Sequence, residues 1–185
     1  MSGLGAASSQ ILGATVEDFA LRDLNGEERR LSDFLAGKKG AVVLFWSGIC
    51  SHCVRYDGYL NGFTGLHPEL GFVAVASRQG ETLERIRQSV ADRSLTFPLV
   101  LDPSAAVAAQ WATQQTPRAF LIDAGRVLHY RGAIDNYKYP DAPDYTAYLE
   151  PAIAEFLSGQ PISRADTPSF GCAIRSVYYT LPKSL

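Results

Sequence analysis

Two periods run along this chain. Residues 41–46 (Ala-Val-Val-Leu-Phe-Trp) and 70–76 (Leu-Gly-Phe-Val-Ala-Val-Ala) are nearly unbroken apolar runs of strand length. A strand that is apolar on both faces belongs in the centre of a sheet covered on both sides. Elsewhere the spacing changes. Cys53, Tyr56, Leu60 and Phe63 recur every three or four residues, as do Leu83, Ile86 and Val90. Those spacings predict amphipathic helices just after Cys50 and over residues 81–93. Residues 97–101 predict a short strand closed by Asp102-Pro103, and residues 104–111 a short alanine-rich helix. A last helix is expected over residues 145–157, with Leu149, Ile153 and Phe156 inward. Pro151 is awkward inside it, because proline removes a backbone donor and crowds the preceding turn. That helix should therefore begin later or kink there.

Turn signals complete the outline. Asn25-Gly26 divides residues 16–31 into a hairpin, and Ala124-Gly125 separates strands over 119–123 and 126–131. Ser32 or Asp33 is placed to cap a short helix through Leu35, ended by Gly37. Strand–helix alternation followed by a hairpin and a helix predicts an α/β fold, a central mixed sheet with helices on both faces. The expected organisation is a flexible small-residue segment at 1–14 and one domain over 15–158. A proline-punctuated tail at 159–185 then packs on that domain.

Composition sharpens this outline mainly by exclusion. With 185 residues, 46% apolar and 19% charged, the chain suits a single globular domain. A formal net charge of −2 and the lack of any dense Lys/Arg cluster argue against nucleic-acid binding. No apolar stretch approaches the ~18 residues of a membrane span. Three cysteines are too few for a disulfide-stapled scaffold. Residues 1–14 carry neither a basic n-region nor an apolar h-region and do not read as a signal peptide. The expected compartment is cytoplasmic if Met1 is the native start, and extracytoplasmic if an export signal has been removed.

The candidate chemistry lies where the first buried strand runs into a helix: Cys50-Ser51-His52-Cys53. Amides at a helix start favour a thiolate on Cys50, and Cys53 sits about one turn on, within disulfide reach. The same spacing is half of a zinc site, but zinc takes about four ligands. Neither His67 nor His129 forms a second tight pair with Cys172. The motif therefore predicts dithiol redox chemistry with no metal and no cofactor.

Phe45-Trp46-Ser47-Gly48-Ile49-Cys50-Ser51-His52-Cys53 resembles the active-site stretch of thioredoxin-fold thiol-disulfide oxidoreductases, particularly the TlpA/ResA-like redoxins of the AhpC/TSA-redoxin superfamily. Thr116-Pro117, ahead of the apolar run 119–122, resembles the cis-proline loop of those proteins. The resemblance spans about residues 15–158. It implies a thioredoxin-like fold and exchange with protein or small-molecule disulfides, in company with a thiol reductant or oxidant. Cys50 is then the attacking thiol and Cys53 the resolving one, and His52 lowers the Cys50 pKa. Thr116 and Pro117 receive an extended substrate, and Trp46 packs beneath the site or borders its groove. The sequence departs from the family pattern at Ile49, where tryptophan is frequent. It departs again at Leu44, where thioredoxin carries a buried carboxylate, so the acid serving Cys53 is unassigned.

Two other readings stay open. Ser47 matches part of a peroxiredoxin pattern with Cys50 as the peroxidatic thiol, although Val43 replaces its proline and Pro117 falls where its arginine belongs. Two thiolates also suit copper(I), which would make the chain a metal-binding module. Trp111 and the tyrosines 137, 139, 145 and 148 are expected to be packing and turn residues, gathered in a second aromatic patch. Cys172, flanked by Phe170 and Ile174, is expected to anchor the tail as a small hydrophobe, the alternative being a third thiol in the redox cycle.

Overall fold

The computed structural model describes residues 11–175. The elements in chain order are β1 (Ala20–Asp23), β2 (Glu28–Arg30), α1 (Leu31–Leu35), β3 (Gly40–Trp46), α2 (Ser51–Val54), α3 (Asp57–Leu66), β4 (Leu70–Ala76), α4 (Leu83–Asp92), β5 (Leu99–Leu101), α5 (Ala106–Gln110), β6 (Gln115–Thr116), β7 (Arg118–Asp123), β8 (Leu128–Gly132), α6 (Leu149–Leu157) and β9 (Cys172–Ala173). Seven strands form one mixed sheet in the order β2-β1-β5-β4-β3-β7-β8, and β6 and β9 pair separately. β3, β4 and β5 run parallel, and the remaining neighbours are antiparallel. This is the thioredoxin-like α/β architecture expected from the sequence.

Both central strands are buried along their whole length, and their pleat sends alternate residues into two cores. Val42, Leu44 and Trp46 join Leu60, Phe63, Ile86, Leu149 and Ile153 from α3, α4 and α6 on one face. Ala41, Val43 and Phe45 join Leu31, Leu35, Val107 and Trp111 on the other. Trp111 packs edge-on to Phe45 and Phe120, a sheet thickness away from the tyrosines with which the sequence grouped it.

Three boundaries differ from expectation. The last helix begins at Leu149, which puts Pro151 in its first turn, where backbone donors have no intrahelical partner anyway. β5 begins at Leu99, after Pro98, although Pro98 O still accepts from Ala74 N–H. The helix after Cys50 is two pieces, α2 and α3, with Tyr56 between them outside helical geometry. Most of the segment 1–14 lies outside the described residues. Its last residues are tied to β8 through Gly13 N–H donating to Leu128 O and Leu128 N–H donating to Ala14 O. The tail runs beside β8 as well: Arg131 N–H donates to Ala165 O, and Thr167 N–H donates to Arg131 O.

The topology fixes where chemistry can occur. β3 pairs antiparallel with β7, with Phe45 opposite Arg118. The residues just past the end of β3 therefore meet those just before the start of β7, which brings Cys50 to Thr116-Pro117.

Candidate active site

Cys50 is the N-cap of α2, in extended backbone conformation. The peptide bond from Thr116 to Pro117 is cis. Cys50 Sγ lies 3.2 Å from Thr116 O, to which its protonated form donates. Neither Cys50 nor Cys53 has exposed surface, and all three cysteines are free thiols.

The two thiols are driven in opposite directions. Cys50 is pulled from 9.0 down to about 4, first by the hydrogen bond from Cys53, with smaller help from Thr116 and Cys172 and against the cost of burial. Cys53 is pushed well above its ordinary value by burial, and further by its bond to Cys50. A helix of four residues aligns few peptide dipoles, so the local donors, more than the helix start, make Cys50 acidic. Thr116 contributes by its side chain, whereas its carbonyl, as an acceptor, favours the protonated thiol. Its hydroxyl is buried with no conventional hydrogen-bond partner and acts on both sulfurs. Such a site can hold a thiolate, present it for attack on sulfur and keep the second thiol protonated beneath it.

The loop ahead of Cys50 is held by a residue that sequence reasoning left on a helix. Glu81, buried between β4 and α4, accepts from the Ser47 hydroxyl (2.9 Å) and from Ile49 N–H (3.1 Å). Burial raises its pKa above the ordinary carboxylate value despite those donors. Gly48 is needed between them, because a Cβ there would stand 2.7 Å from both Glu81 Oε1 and Ser89 Oγ. Arg93 fastens the same loop to α3, donating to Gly48 O (2.8 Å) and to both oxygens of Asp57 (2.7 and 2.5 Å). A carboxylate alone at the end of a buried strand, as Gly80-Glu81 is after β4, was the available signal.

The remaining candidates divide. Trp46 is wholly buried, edge-on to Phe97 and beneath Arg93, so it packs under the site and does not border a groove. His52 sits at the site, a ring nitrogen within 4.8 Å of Cys50 Sγ. Its ring lies on Tyr137 at 4.6 Å between centroids, and its Nδ1 faces Cys172 Sγ at 3.6 Å. Tyr137 is held there in left-handed backbone conformation (φ 60). Its own N–H donates to Asp135, which also receives the Tyr56 hydroxyl. Cys172 is half-buried at the site, packed against the first core, and Ile174 is buried in the opposite core. Cys50, His52 and Cys172 present ligand atoms within 4.8 Å of one another, the one such group among the described residues able to hold a metal ion. Arg118, beside Pro117 in sequence where the peroxidatic arginine would align, lies over the Phe120 ring on the sheet face away from the thiols.

Comparison with known proteins agrees with this architecture. The model of the AhpC/TSA family matches residues 12–131. The thiol-disulfide oxidoreductase ResA of Geobacillus thermodenitrificans is 33% identical over 112 residues, 60% of this chain and 63% of that protein. The match thus spans less than two thirds of the relative's length. A hypothetical protein of Sinorhizobium meliloti 1021 superposes with a TM-score of 0.78 at 32% identity, covering 89% of this chain and 93% of its own. The thioredoxin domain of a thiol-disulfide oxidoreductase from Bacteroides vulgatus has a TM-score of 0.56 at 21% identity over 64% of this chain and 85% of its own, a likeness of fold.

Proposed function

Starting from a chain that belongs to the AhpC/TSA family, we propose that it is a thiol-disulfide oxidoreductase working through a Cys50–Cys53 dithiol/disulfide couple. The observation that carries this reading is the placement of Cys50 at the start of α2, against the cis Thr116-Pro117 bond, with Cys53 buried one turn on; the opposed shifts of the two thiols support it. Cys50, as thiolate, attacks one sulfur of a substrate disulfide and expels the other as a thiolate. Cys53 then loses its proton and attacks Cys50 Sγ, releasing the reduced substrate and leaving Cys50–Cys53 oxidised. The low Cys50 pKa stabilises the reduced form, which makes the oxidised couple a willing oxidant. The substrate class is a protein or small-molecule disulfide or dithiol, with a thiol reductant or oxidant closing the cycle. The relatives named for this activity support the same reading.

Dithiol exchange is favoured over peroxide reduction because the Ser47 hydroxyl is engaged by Glu81 and Arg118 lies on the other face of the sheet. The test is insulin-disulfide reduction and peroxide turnover measured on one preparation, with mass spectrometry of the oxidised digest. The expected result is insulin turnover and a Cys50–Cys53 linked peptide. Peroxide turnover alone, with both thiols unlinked after mild oxidation, would overturn the reading.

A further inference from the structure

The backbone edge that would receive an extended substrate is already occupied. β9 pairs antiparallel with β6, placing Ala173 opposite Gln115 and Cys172 opposite Thr116. The pairing continues beyond the strand: Ile174 N–H donates to Gln114 O, and Gln79 N–H donates to Ile174 O, both at 2.9 Å. Gly171 packs so closely that a Cβ on it would stand 1.8 Å from Thr116 O. The tail therefore lies on the cis-proline loop as an added strand, the geometry by which sheet edges capture peptides. The residue in register with Thr116 is a cysteine. Its sulfur, Cys50 Sγ and a ring nitrogen of His52 all lie within 4.8 Å of one another. Anchoring does not call for sulfur here, since Ile174 supplies the buried side chain and Gly171 the close approach.

We propose that residues 171–174 are a built-in substrate strand and that Cys172 is a third exchange thiol, forming a disulfide with Cys50. This inference rests on the dithiol reading above and extends it to a destination within the chain. Starting from the Cys50–Cys53 disulfide, Cys172 gives its proton to His52 Nδ1 and its thiolate attacks Cys50 Sγ. The Cys50–Cys53 bond breaks, the Cys50–Cys172 bond forms, and Cys53 leaves as a thiolate that takes up a proton. One disulfide replaces another, so no outside oxidant or reductant enters. Burial around Cys53 favours its protonated form, which suits it to receive that proton. In the reverse direction Cys53 resolves Cys50–Cys172 and returns the tail to the thiol state. A tethered thiol competes with free ones at an effective concentration of roughly millimolar or more. An external substrate must displace the strand to reach Thr116.

The test removes the resolving thiol. Reduced Cys53→Ser is treated with one equivalent of 5,5′-dithiobis(2-nitrobenzoate) at neutral pH. Cys50 takes one thionitrobenzoate and releases the other. Attack by Cys172 on that adduct then releases the second, leaving a Cys50–Cys172 bridge in monomeric protein, read by absorbance and by mass spectrometry of the digest. A single release with the adduct retained on Cys50, or bridging only between chains, overturns the proposal. Cys53→Ala repeats the measurement should the serine variant fold poorly. Adding Gly171→Ala forces the strand off Thr116 and should slow bridge formation by about tenfold or more, as lost tethering predicts. An unchanged rate there overturns the strand-mimic role. Wild-type insulin reduction is measured alongside. No bridge with turnover intact defeats the tail inference alone, whereas a bridge without turnover defeats the proposed activity.

Discussion

The ionisation of Cys50 makes a prediction that depends on the shape of a pH profile more than on an absolute rate. For an ordinary thiol at 9.0, the thiolate is roughly one part in a hundred at pH 7 and one in ten thousand at pH 5. With its value near 4, Cys50 is almost wholly thiolate at both. Intrinsic nucleophilicity falls with pKa at a Brønsted coefficient of about 0.4–0.5, so a drop of about five units costs two to two and a half powers of ten. The two effects nearly cancel at pH 7, and the rate there does not separate the cases. At pH 5 they do. Alkylation of Cys50 by iodoacetamide, followed by mass spectrometry of its peptide in reduced wild-type protein, should change less than about twofold between pH 5 and 7, against roughly a hundredfold for an ordinary thiol. The perturbation that tests the cause is Cys53→Ala, because the Cys53 hydrogen bond is the largest influence on Cys50. A hydrogen bond to a charged group is worth about 1.5–3 kcal/mol, which at 1.36 kcal/mol per unit raises the Cys50 value by about one to two units. A wild-type inflection between pH 8 and 9, or an inflection unmoved by Cys53→Ala, would refute this account.

Three further expectations follow from the same geometry. With Cys50 ionised and Cys53 protonated, reduction of their disulfide takes up one proton for two electrons above about pH 4, so the midpoint potential should fall by about 30 mV per pH unit between pH 5 and 8; a slope near 60 mV, measured by glutathione equilibration, would contradict it. Glu81→Ala strands the Ser47 hydroxyl and Ile49 N–H and should cost about 2–4 kcal/mol in urea denaturation. Glu81→Gln should cost less and should gain on wild type as pH rises through the carboxylate range, because the folded-state value of Glu81 is raised and its ionisation works against folding there. Arg93→Ala removes a half-buried ion pair to Asp57 and the bond to Gly48 O, and calorimetry should show a loss of about 2–3 kcal/mol, or 5–10 °C in Tm.

The parts legible in the sequence are those where one residue pattern determines one outcome. Residues 41–46 and 70–76 admit little besides central strands, and Cys50-Ser51-His52-Cys53 at the end of the first fixes the place of the dithiol. Thr116-Pro117 was found through resemblance, and its meeting with Cys50 follows from the antiparallel register of β3 and β7. What the sequence hid depends on partners distant along the chain. Glu81 reads as an ordinary first-turn acid until the fold sets it under residues 47–49. Asp102 reads as a strand stop, yet it accepts from the Ser77 hydroxyl and caps α5 through three backbone donors. The break between α2 and α3 has no helix-breaking residue to announce it. The place of Cys172 beside Thr116 is hidden as well, because a two-residue strand pairing with an equally short partner leaves no periodic trace.

The chain has two tryptophans, and the sheet puts one in each core. Trp46 shares its cluster with Cys50 and Cys53, whereas Trp111 lies behind the sheet among Phe19, Phe45 and Phe120. Both indoles are shielded from solvent, so their emission should lie at short wavelength in either redox state. A nearby disulfide accepts an electron from an excited indole and quenches it, and a thiol does so far less. Trp46 is therefore placed to dim when the cysteine pair closes, and Trp111 to remain as a steady internal reference. The fold carries its own optical readout of oxidation, with Trp46→Phe as the variant that would silence it.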